Sequence, residues 1–272
     1  GKVTLRVALE QSLNASTVRV AQATGLGRIV ATARALGIDS PLREVPALAL
    51  GASEVTPFEL ARAYATLANN GLRSTPLAVR DVADREGRPL ERRGFQVEAA
   101  VSPEVAYLVT NLLEGVVSRG TAAGARRLGL EGAAAGKSGT TSDYRDAWFA
   151  GYTSEAAVLV WVGFDDGTPI NLTGSQAALP VWVEALREAH GGRAAAPFPV
   201  PPRLQLATVD PVTGYLATEN CPHRLEEAFL AGTEPTQLCP VHPGARAQAP
   251  APAGAPGRER RGFIRWFKDL FR

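Results

Sequence analysis

An α/β fold of the layered α+β kind, with helices packed on an antiparallel sheet, is what this sequence predicts. Three observations lead there. Apolar residues recur at helical spacing through much of residues 3–117, the spacing changes to that of strands between 133 and 166, and one more amphipathic helix follows at 179–190.

The elements follow in order. Val3, Leu5, Val7, Ala8, Val18, Val20 and Ala21 mark a helix over 3–23 that the S-L-N of Ser12–Asn14 interrupts. Residues 25–38 form a second helix, closed by Gly37. Thr56 is an N-cap and Pro57 a first helical residue, opening a third helix that stops at Asn69-Asn70-Gly71. Residues 72–95 read as short strands with Glu86-Gly87 at a tip, and Ser102-Pro103-Glu104 opens a helix to about Val117. AAAGKSGTT, DAWFAGYT (146–153) and AAVLVWVGFDD (156–166) are strands, the last two joined by a turn at Thr153-Ser154-Glu155. Trp148, Trp161 and Trp182 are expected in the core.

Composition narrows the function. The 45% hydrophobic content of the 272 residues can fill a core, and no apolar run is long enough to span a membrane. The net charge of +2 is uneven: residues 257–272 hold six Lys or Arg against two Asp or Glu, so the remainder is slightly acidic. That excludes a nucleic-acid-binding body. Only three lysines occur, Lys2, Lys137 and Lys268, so a lysine kept at 137 points to work that a guanidinium does badly.

Lys137 lies in G-K-S-G-T-T, Gly136–Thr141. A phosphate loop would need a glycine at 131, and Glu131 stands there with the wrong charge. A strand margin has a different use. It presents backbone N–H and C=O groups to an extended peptide, Gly139 allows close approach, and Lys137 with Ser138, Thr140 and Thr141 can hold a carboxylate. The amides can also face a developing oxyanion. That is a site for acyl transfer on a peptide.

Lys137-Ser138-Gly139-Thr140 on a strand, with Ser12-Leu13-Asn14 far upstream, resembles the penicillin-binding proteins and class A β-lactamases. SLNASTVRVAQ, the stretch 48–71, RGTA at 119–122 and the 146–166 hairpin resemble specifically the transpeptidase domain of a class A penicillin-binding protein, over residues 1 to about 190. The resemblance implies a D,D-transpeptidase that cross-links peptidoglycan stem peptides, takes a lipid-linked precursor, needs no cofactor and is trapped by β-lactams. Ser12 would relay a proton to the leaving group and Asn14 would hold the substrate amide. Lys137 would tune that relay, the Thr140 N–H would complete the oxyanion hole, and Ser138 and Thr140 would contact the carboxylate. Arg119, Thr121 and Tyr144 are further candidates for the cleft lining. A non-catalytic peptide-binding module, or a carboxypeptidase or β-lactamase of the same fold, would use similar residues.

One departure is plain: no serine stands three residues before any lysine, because Ala134 and Arg265 occupy those places and Lys2 has no such position. The family's S-x-x-K nucleophile lies N-terminal to S-x-N. The chain therefore reads as a C-terminal portion, with the fold incomplete at the N-terminus. A glycosyltransferase domain and a membrane anchor are expected upstream, in an extracytoplasmic protein.

The expected organisation is transpeptidase portion over 1–192, Pro-rich linker over 193–203, Cys-containing module over 204–246, disordered linker over 247–257 and basic amphipathic helix over 258–272. In that last helix Phe263, Ile264, Trp266, Phe267, Leu270 and Phe271 share one face, fit for a membrane surface or a partner. In the module, Cys221, His223, Cys239 and His242 have the chemistry of a zinc set. The extracytoplasmic setting that the resemblance implies favours a Cys221–Cys239 disulfide instead.

Overall fold

The structure is a computed structural model that describes residues 1–247. The expected basic helix at 258–272 and the linker before it, from 248 onward, lie outside the described residues.

The expected helix over 3–23 is two helices, α1 (Leu5–Glu10) and α2 (Asn14–Thr24), and the break falls at S-L-N. α3 (Leu26–Leu36) closes at Gly37, whose φ of 109° suits glycine. α4 (Pro57–Ala68) starts at the predicted Thr56-Pro57 pair, where Thr56 and Glu59 form a capping box. Hydrogen bonds from Ser40 and then from Thr56 and Asp39 hold the Glu59 carboxyl down at about 2. The short strands β1 (Leu72–Ser74) and β4 (Val97–Ala99) pair with each other, and β2 (Asp81–Ala83) pairs with β3 (Pro89–Arg92). α5 (Pro103–Ser118) follows, with Ser102 as its N-cap.

The central sheet is antiparallel, in the order β5 (Ala135–Thr140), β6 (Asp146–Tyr152), β7 (Ala157–Gly163). α6 (Gly174–Ala189) starts ahead of the predicted 179, because a Thr173–Gln176 capping box begins it and Pro180 is carried inside. The alternation of β6 divides the core. Phe149 meets Trp182 of α6 at a ring separation of 4.6 Å on one face. On the other face Tyr152 meets Tyr64 of α4 at 6.2 Å, and its hydroxyl bonds Thr110 of α5 at 2.8 Å. The sheet is thus covered by α6 on one side and by α4 and α5 on the other.

Trp182 is fully buried, as expected. Trp148 and Trp161 are not core residues: they are half-buried, face each other across β6 and β7 at 6.1 Å, and Trp161 keeps its indole N–H on Asp146 at 2.8 Å. Residues 193–203, expected as a linker, lie packed on the body. Ala195 bridges Gly132, and Phe198 is buried against Tyr152. The hairpin of β8 (Leu204–Val209) and β9 (Leu225–Leu230) adds Leu204 and Ala228 to the main core.

Trp182→Ala is expected to cost about 3–5 kcal/mol in urea unfolding, through a cavity between α6 and the sheet. A loss below about 1 kcal/mol would contradict this packing.

Candidate active site

The site begins where α1 ends. The Leu13 N–H donates to the Ala8 carbonyl at 2.8 Å and the Ser12 N–H to the Leu9 carbonyl at 3.1 Å, the paired bonds of a Schellman cap. Ser12 occupies the position where glycine is usual, with a φ of 53°. A side chain there costs roughly 1 kcal/mol, and what it provides is an exposed hydroxyl at the mouth of the cleft. Asn14 opens α2 two residues later, also exposed.

Across from it runs β5. Lys137 pairs with Ala150, so the pleat turns its side chain away from the Phe149–Trp182 face and toward α1. Its Nζ donates to Ser12 Oγ at 2.9 Å and to the Ser138 carbonyl at 2.9 Å. Burial holds the Lys137 pKa below its ordinary 10.5. An amine with a weakened hold on its proton, bonded to a hydroxyl, has the geometry that proton transfer between the two requires.

Ser138 and Thr140 point to the other side of the strand. Ser138 Oγ and Thr121 Oγ1 are 3.2 Å apart, and Thr140 Oγ1 accepts the Gly174 N–H at 3.0 Å, at the start of α6. Gly139 stands opposite Trp148 with no side chain of its own. Gly174 has to be glycine, since a Cβ would sit 2.4 Å from the Trp148 carbonyl and 2.5 Å from that of Gly139. Thr141 is drawn into the turn before β6: it accepts the Asp146 N–H at 2.8 Å and donates to the Asp146 carboxylate at 3.1 Å. Its hydroxyl is thereby occupied, unlike the free carboxylate contact expected for it. Tyr144, at φ 53°, is exposed.

The R-G-T segment, only partly anticipated, ties the two walls together. The Thr121 N–H donates to the Glu10 carbonyl at 3.0 Å, and Ser175 Oγ of α6 donates to the Thr121 carbonyl at 2.9 Å. Gly120 lies so close to Glu10 that a Cβ would be 2.4 Å from that carbonyl. Arg119 bonds the Glu10 carboxylate at 2.6 Å and so serves α1 more directly than the cleft. Glu10 and Arg6 went unnoticed in the sequence. So did Glu114 on α5, whose carboxyl burial pushes up to about 7; an acid within an apolar helical stripe was its one signal.

Cys221 and Cys239 are both buried and both free, not joined by the expected disulfide. His223 is exposed and lies apart, so it is not a partner of the cysteines. Asp210 takes that place beside Cys221, Cys239 and His242.

Residues 1–186 match the family model described as penicillin binding protein transpeptidase domain. The chain belongs to that family. Residues 200–244 match a second model, the penicillin-binding protein 1A C-terminal domain. Penicillin-binding protein 1A of Aquifex aeolicus is 33% identical over 241 residues, covering 88% of this chain and 33% of that protein. Penicillin-binding protein 1B of Vibrio cholerae is 35% identical over 79% of this chain and 26% of its own length. The chain thus spans about a third of these relatives. Among solved structures, penicillin-binding protein 1A of Haemophilus influenzae superposes with a TM-score of 0.79 at 26% identity, over 87% of this chain and 41% of that one. PonA1 of Mycobacterium tuberculosis, in complex with penicillin V, gives 0.64 at 26% identity over 73% of this chain and 62% of that one. The penicillin-binding transpeptidase fold is therefore the fold of this chain.

The left-handed Ser12 yields a test in stability alone. Ser12→Gly should stabilise the protein in urea by about 1 kcal/mol, whereas Ser12→Ala should not. Equal effects of the two substitutions would show that the backbone at 12 is not strained.

Proposed function

We propose that this chain forms the S-x-N and K-S-G-T walls of a serine D,D-transpeptidase cleft that cross-links peptidoglycan stem peptides. The observation that carries the reading is the 2.9 Å hydrogen bond from Lys137 Nζ to Ser12 Oγ, between segments 125 residues apart. The nucleophilic serine and its lysine belong to a segment not found in this sequence. In the reaction the serine attacks the carbonyl of the penultimate D-Ala, and the terminal D-Ala leaves as an amine. Ser12 passes that amine a proton, and Lys137 sets the readiness of the hydroxyl to give it. Asn14 holds the substrate amide, the Thr140 N–H faces the oxyanion, and Ser138 with Thr140 holds the terminal carboxylate. An amine of a neighbouring stem peptide then takes the acyl group. Gly139 leaves room for the peptide to lie along β5.

The whole protein, on this reading, works outside the cytoplasm behind a membrane anchor, elongates glycan from lipid-linked precursor, and binds β-lactams as mimics of the D-Ala-D-Ala end. None of these steps calls for a cofactor. Among the described residues no helix is long and apolar enough to cross a membrane.

Fluorescent penicillin tests the reading. The 272-residue chain should take no covalent label, while the full-length protein should be acylated. Ser12→Gly in the full-length protein should slow acylation by about 100-fold. A label on the chain alone would place a nucleophile within it, contrary to the proposal. A full-length protein that binds without acylation would be a peptide-binding module, and an adduct lost within seconds would mark a β-lactamase.

A further inference from the structure

The β8–β9 module has a core of its own made of Ala217, Cys221, Cys239 and Ala247. Leu204 and Ala228 tie the hairpin to the main core, but the separate cluster of two alanines and two cysteines is slight for the rest of the module, where a staple would add most. The four side chains gathered there are of the types that bind a soft divalent metal. Asp210 follows β8, Cys221 lies in the turn after Thr218, and Cys239 and His242 come from C-P-V-H. One donor atom from each lies within 4.8 Å of every other, and all but His242 are buried.

The distances suit a metal centre. Cys239 Sγ is 3.5 Å from His242 Nδ1 and 3.5 Å from Asp210 Oδ2, and His242 Nδ1 is 3.0 Å from Asp210 Oδ2. Tetrahedral zinc, with bonds of about 2.3 Å to sulfur and about 2.0–2.1 Å to nitrogen and oxygen, sets the corresponding edges at roughly 3.5, 3.6 and 3.4 Å. Three of the donors thus stand close to the vertices they would occupy around an ion, and Cys221 Sγ lies within 4.8 Å of each of them.

Their supports point the same way. Asp210 Oδ1 accepts the N–H groups of Val212 and Thr213 at 2.9 and 3.1 Å, which fixes the carboxylate and leaves Oδ2 for the centre. Cys221 Sγ accepts the Thr218 N–H at 3.3 Å. The Thr213 hydroxyl donates to Cys239 Sγ at 3.6 Å. Outer contacts of this kind orient metal ligands and favour thiolates. A disulfide would use only two of the four groups and would leave Asp210 and His242 paired with each other alone.

We propose that Asp210, Cys221, Cys239 and His242 form a structural zinc site that pins the β8–β9 module. Four protein ligands leave no open position, so the site is structural and not catalytic. As zinc binds, the two thiols lose their protons to solvent, and Asp210 and the neutral imidazole of His242 complete the shell. The pinned hairpin presents Glu227 of β9 to the buried Arg6 of α1, the helix whose end carries Ser12. Zinc is thereby linked to the geometry of the cleft wall through a continuous set of contacts.

The test is made on the 272-residue chain purified without chelator. Elemental analysis should find one zinc per chain, and both thiols should resist alkylation until the metal is removed. Titration of the metal-free chain with Co²⁺ should give thiolate-to-cobalt charge-transfer bands and the intense visible bands of a tetrahedral centre. His242→Ala should weaken Co²⁺ binding by more than about 100-fold, beyond the loss usual for an outer-shell partner. His223→Ala should leave it unchanged. A chain without stoichiometric metal overturns the proposal, whether its thiols are free or its mass shows the loss of two hydrogens to a disulfide. Equal losses from His223→Ala and His242→Ala would overturn the ligand set.

Discussion

The end of α1 is the piece on which the rest of the cleft depends, and one backbone hydrogen bond places it: Thr121 N–H to the Glu10 carbonyl, 3.0 Å. That bond ties the segment after α5 to the last residue of α1, and Gly120 has no side chain to keep the two apart. From there the Schellman cap turns Ser12 back toward β5, within reach of Lys137. The same Thr121 touches Ser138 through its hydroxyl and Ser175 through its carbonyl, so both walls of the cleft refer to one residue.

α1 is also held from behind. Arg6, 5% exposed, bonds Glu10, the Asn111 carbonyl and side chain on α5, and Glu227 on β9. A buried ion cluster of this kind is weak evidence for net stability, since desolvation offsets much of the attraction. What it supplies here is position. A helix of six residues has little stability of its own, and the guanidinium fixes it to two other parts of the fold, α5 and β9. The K-S-G-T strand needs less support, since β6 pairs along its whole length and Phe149 and Trp182 fix the sheet from below.

Much of this was legible in the residues because it is local. Thr56-Pro57 announces a helix start and Gly37 a helix end, each through backbone preferences that act within a few positions. The strands showed themselves by apolar alternation, and G-K-S-G-T-T excluded a phosphate loop by a single misplaced Glu131. What escaped depends on distance along the chain. The Glu10 carbonyl has no sequence signature, since every residue carries one. Arg6 finds Glu227 only because the hairpin folds back across 221 positions. His223 stands close to Cys221 in sequence, yet the turn after β8 brings Asp210, not His223, beside the two cysteines. Thr141 looked like one more hydroxyl of the row, yet the tight turn into β6 claims it. Trp148 and Trp161 read as core by residue type, but their place near the open end of the sheet leaves them half-covered.

The central claim is that Lys137 is a partly desolvated amine facing Ser12, and lysine NMR tests it most directly. With Lys2 and Lys268 near the two ends of the sequence, the signals of ¹³C-labelled lysine side chains can be assigned by single substitutions. The Lys137 ε-carbon is expected to titrate below the ordinary lysine value of 10.5, because burial disfavours the charged form. Folding stability should correspondingly rise with pH across the interval between the depressed value and the ordinary one, where the unfolded chain holds more protons. A Lys137 signal that titrates at or above the ordinary lysine value would contradict the claim.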